Sequence, residues 1–131
     1  MLASFADTVR LSLHVLAATI WVGGQITLAA LVPVLRRTPE AARDAARQFN
    51  RIAWPAFAVL IVTGIWNIAV EKDPSSAWQG VLGAKMLVVL LSGVAAYVHT
   101  RVSTRSQIAL WGALSGLSAI TAVVLGILLA G

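Results

Sequence analysis

Residues 11–35 read LSLHVLAATIWVGGQITLAALVPVL, with no Asp, Glu, Lys or Arg. A run of this length exceeds the ~20 residues a helix needs to cross a bilayer. Backbone amides and carbonyls in lipid must bond within their own segment, so the run reads as a spanning helix and not as strands. It is too long for the apolar core of a secretory signal, and Asp7 precedes it, so we expect it to be retained. The same stretch holds His14, Trp21, a glycine pair at 23–24 and Gln25. Polar groups there are costly in contact with lipid and fit a helix face turned inward.

The rest of the chain repeats the pattern. Further apolar segments lie at about 52–70, 81–100 and 107–130. Of the 131 residues, 59% are hydrophobic and 11% charged, and mean hydropathy is +0.85. Soluble domains carry about 25% charge. The reading is an all-α integral membrane protein: one domain over 1–131, a four-helix bundle of up-down topology whose main partner is the lipid bilayer. The net charge of +5 fits membrane orientation, and we expect no nucleic-acid partner. The chain has no cysteine, which excludes disulfides, thiolate metal sites and a cysteine nucleophile.

Loop charge gives the orientation. The first loop, RRTPEAARDAARQFNR at 36–51, carries five arginines against Glu40 and Asp44, and the third carries Arg101 and Arg105 without an acid. The second loop, EKDPSSAWQG, is net acidic. Basic loops stay cytoplasmic, so both termini are expected outside, in a bacterial cytoplasmic (inner) membrane. Trp54 and Trp111 then mark the inner boundary and Trp66 and Trp78 the outer one, with Trp21 several turns inside. Within the first loop, Thr38, Pro39 and Glu40 form a helix start, and Arg43, Arg47 and Arg51 share one face. We expect a separate surface helix there, touching anionic headgroups.

This topology puts His14, Asn67 and Lys85, from three spans, about one turn below the outer surface. His14, Ala18, Trp21, Gln25 and Leu28 form one helical stripe, Lys85, Ser92 and His99 another, and Thr63 and Asn67 a third. We expect the three to line an outer intramembrane pocket. His14 is its metal or cofactor ligand, Asn67 and Lys85 orient or charge-balance what binds, and Trp21 forms a wall. His14 and His99 lie near opposite faces, some 20 Å or more apart by helix rise, which disfavours a haem held by both. One axial histidine at His14 would suit haem b, with porphyrin carboxylates near Arg10 and Lys85. A copper ion wants several imidazole or sulfur donors, and near His14 only Met1 adds one. No acid lies within the spans and no Ser-His-acid set or phosphate loop occurs, so no catalytic residue is assigned and a non-enzyme is favoured. Gly112 and Gly116 form a small-xxx-small contact, within the bundle or across a homodimer.

LHVLAATIWVGG (13–24), LVPVLRR (31–37), RIAWPAFAVLIVTGIWNI (51–68) and GAKMLVVLLSGVAAYV (83–98) together resemble the copper-resistance D (CopD-like) membrane family. The points of likeness are His14, Trp21-Val22-Gly23-Gly24, Thr63-Gly64, Asn67 and Gly83-x-Lys85. The resemblance implies copper homeostasis with a periplasmic copper protein as partner. The chain is also similar to HemJ-type protoporphyrinogen oxidases, whose first-helix histidine and third-helix lysine fall on His14 and Lys85. That likeness would imply a haem-dependent oxidase. A non-catalytic helical subunit of a membrane complex is the third reading.

Overall fold

The computed structural model describes residues 2–131; Met1, the one sulfur donor expected near His14, lies outside them. The chain is all-α, with no strand among the described residues. Helix α1 is Phe5–Ala18, a π-helical turn follows at Thr19–Gly23, and α2 is Gly24–Leu35. Helices α3 (Pro39–Ala69), α4 (Ser76–Arg101) and α5 (Arg105–Ala130) complete it. With α1, the π turn and α2 taken as one continuous rod, four helices are long and apolar enough to cross a membrane.

Local chemistry sets the helix ends. The Ser4 hydroxyl accepts from the Asp7 amide at 3.1 Å, and Ser75 does the same for Trp78 at 3.1 Å. Each satisfies a donor that the first turn leaves without a partner. Pro39 opens α3, where its missing N–H costs nothing. Val102 turns extended and stops α4. Between α3 and α4, Asp73 takes the left-handed conformation (φ 54°), which Asp tolerates better than most residues.

The chain forms two compact units, one running to Glu71 and one spanning Lys72–Gly131. In the first, the α1–α2 rod and α3 make an antiparallel hairpin, since Arg10 meets Asn67, His14 meets Thr63 and Gly24 meets Phe49. A Cβ at position 24 would overlap the Phe49 ring, so glycine makes room for that ring against the α1–α2 rod. In the second unit α4 and α5 are also antiparallel: Trp78 Nε1 donates to the Leu129 carbonyl at 3.3 Å, and the Ser92 and Ser115 hydroxyls each donate to the other's backbone carbonyl at 2.9 Å.

One expectation is corrected. The basic segment 39–51 is helical, but it is the first part of α3 and not a separate surface helix. Nothing between Arg51 and Trp54 breaks the chain, and Pro55 is absorbed inside the helix. At 31 residues α3 is about 46 Å long, against ~30 Å of hydrocarbon. The stripe expected on the first span continues past the π turn: Trp21 is buried, and Gln25 and Leu28 are half-buried while Ile26, Thr27 and Ala29 are exposed, with Gln25 Nε2 itself buried.

Candidate functional site

The first unit carries a polar ladder on its α1–α3 seam. Arg10 and His14 are four apart on α1, and Thr63 and Asn67 four apart on α3, so each pair shares a face. Arg10 is 9% exposed, the most deeply buried charged residue. Its Nη1 donates to Asn67 Oδ1, and its Nη2 pairs with Asp7 Oδ1 at 2.8 Å. Its Nε is buried with no hydrogen-bond partner. A guanidinium held by a carboxylate and an amide meets most of the cost of leaving water.

The second rung is one turn deeper. His14 Nδ1 lies 2.7 Å from Thr63 Oγ1, and Thr63 Oγ1 lies 2.6 Å from the Val59 carbonyl. His14 Cε1 is 3.8 Å from where a Cβ on Gly64 would stand, so the ring is seated against α3 along its edge. Arg10, His14 and Asn67, all expected at the site, are thus brought together, and Thr63 joins them.

Below the ladder the seam becomes aromatic. Trp21, 4% exposed at the centre of the π turn, packs on Phe57 and Trp54 with ring centroids 4.5 and 5.3 Å away. Thr19 and Thr27 bond carbonyls one turn back, at Val15 and Gly23, on either side of that turn (both 2.8 Å). Trp21 therefore closes the seam on the far side of His14 from Arg10. Beside Thr63 an apolar groove of about 290 Å³ is walled by Leu13, Ala58, Val59, Val62 and Trp66.

Lys85 belongs to the second unit, where Lys85, Ser92 and His99 all face α5. The Lys85 Nζ sits 3.1 Å from the position a Cβ on Gly126 would take. His99 Nδ1 donates to the Ile108 carbonyl at 2.8 Å, and its ring lies over Gly112, whose Cβ would be 3.0 Å from Cε1. The helix contact expected of Gly112 is thus made inside this unit. The heptad spacing that marked the stripe is the spacing of a helix–helix seam.

Among the described residues no group of three or more His, Cys, Asp or Glu could hold a metal ion.

Comparison with known proteins gives one match. The family model for CopD, copper resistance protein D, covers residues 43–131, more than half of the chain. It takes in Asn67, Lys85 and His99, while Arg10, His14 and Trp21 precede the matched residues. No curated protein and no solved structure matches.

Proposed function

Since the chain belongs to the copper resistance D family, we propose that this multi-pass membrane protein handles copper as cargo, with His14 as its imidazole donor on the first hairpin. The observation that carries the reading is the seating of His14. Metal-binding histidines are commonly fixed by a hydrogen bond from the ring nitrogen that does not bind, and His14 has such a bond to Thr63. Imidazole suits copper. The remaining ligands would come from the molecule that delivers the metal, a periplasmic copper protein if the membrane is a bacterial inner one.

Arg10 and Asn67 do not ligate in this reading. They hold a charged rung one turn above His14, with Asp7 offsetting the guanidinium where a cation approaches. Trp21 walls the far side. Lys85 contributes a cation within the second unit's span, and its role is tested separately by Lys85→Met in a copper-tolerance assay.

The decisive experiment titrates the purified protein with cuprous ion against a chromophoric competitor. Binding lost in His14→Ala and kept in His99→Ala supports the reading. Equal binding by all three proteins removes it. A Soret band lost in His14→Ala would instead favour the haem-dependent oxidase.

A further inference from the structure

The Thr63 hydroxyl stands between two partners that make opposite demands. Its oxygen is 2.6 Å from the Val59 carbonyl and 3.3 Å from that of Leu60, both on its own helix, and 2.7 Å from His14 Nδ1 across the seam. A carbonyl oxygen can only accept, and a hydroxyl has one proton to give. At 2.6 Å from Val59 that proton belongs on the carbonyl side, because two oxygens without a hydrogen between them repel at that distance. The lone pairs of Oγ1 are then what faces His14, and Nδ1 must carry the hydrogen.

We infer that Thr63 is the positioning residue that holds neutral His14 as its Nδ1–H tautomer, so that the ring nitrogen without a hydrogen is Nε2. The inference builds on the copper reading above but is observable without copper. The restraint is rigid. Thr63 is 3% exposed, its hydroxyl is fixed by α3 itself, and the β-branched side chain has few rotamers. Which nitrogen of a histidine is available is set by the hydrogen bond the other one makes. Here that choice is built into the hairpin before any ligand arrives. The rule also covers the second histidine: His99 Nδ1 faces a carbonyl, so it too must be the protonated nitrogen.

The test uses the full chain labelled with ¹⁵N-histidine. Two histidines give a simple spectrum, and His99→Gln identifies each. At alkaline pH, His14 is expected with Nδ1 protonated and Nε2 unprotonated. Thr63→Ser, which keeps the hydroxyl, should leave that pattern unchanged. Thr63→Val should shift His14 toward the Nε2–H form, leave His99 unaltered, and lower cuprous affinity about 10–100-fold, the usual cost of losing such a partner. A protonated Nε2 on His14 in the unaltered protein overturns the inference, even if Thr63→Val fails to fold. So does a folded Thr63→Val protein whose tautomer is unchanged. If the tautomer is as inferred and His14→Ala binds copper normally, the inference stands and the copper reading falls.

Discussion

Side chains four residues apart on two facing helices make the ladder, and that much is legible in the sequence. Arg10 and His14 share one face and Thr63 and Asn67 another. The importance of Thr63 is not legible, because a threonine in a spanning helix reads as lining until its distances to Val59 and His14 are known. His99 shows the converse. At a helix end beside Arg101 it reads as an interfacial residue, yet its ring fills the space that Gly112 leaves open. Gly112→Val should push the ring off Ile108 and destabilise the protein by about 1–3 kcal/mol, as overpacking of a close contact does. Pairing it with His99→Ala should recover most of that loss in a detergent or denaturant unfolding assay. A double variant no more stable than Gly112→Val would show that the ring is not what the valine strikes.

Helices follow from apolar length, so the existence and order of all four spans are plain from composition. Their details depend on contacts the sequence does not display. The π turn at Thr19–Gly23 is one such detail, because an evenly wound helix gives no sign of it. The basic segment 39–51 has the charge pattern of a surface helix. It is instead the polar continuation of α3, because a good start signal at Pro39 runs into the apolar segment with no stop signal between them. On α4 and α5, the reciprocal bonds of Ser92 and Ser115 join buried backbones where no apolar contact could. Ser92→Ala and Ser115→Ala are each expected to cost about 0.6–2 kcal/mol, the range for hydrogen bonds between spanning helices. A double-mutant cycle in mild denaturant measures both. Two neutral single variants would mean that helix packing alone holds the seam.

For the molecule as a whole, the spans give a multi-pass membrane protein and the family match places it in the copper resistance D family. The match begins at residue 43, so the first helix enters the copper reading through its own geometry. That Arg10 ties the two helices together could not be read from the sequence, because its bonds to Asn67 and Asp7 are seen only in the structure. Asn67→Leu removes the acceptor and leaves the guanidinium short of a partner. A stability loss of about 1–3 kcal/mol is expected, measured in the same unfolding assay. An unchanged midpoint would mean that Asp7 alone suffices.

The meeting of Gly24 with Phe49 makes the first hairpin lopsided. The apolar leg of one rod is centred near residue 23 and that of its neighbour near 61, yet His14 stands level with Thr63. The two greasy centres are therefore staggered by about 10 Å, roughly the distance between packed helix axes. No upright posture can immerse both. The pair should lean well beyond the ~20° average for spanning helices, sinking the flank of α2 while lifting Arg43, Arg47 and Arg51 clear of the oil. Polarised infrared dichroism of carbonyl-labelled α3 in aligned bilayers would register that slant, and an axis close to the bilayer normal would contradict it.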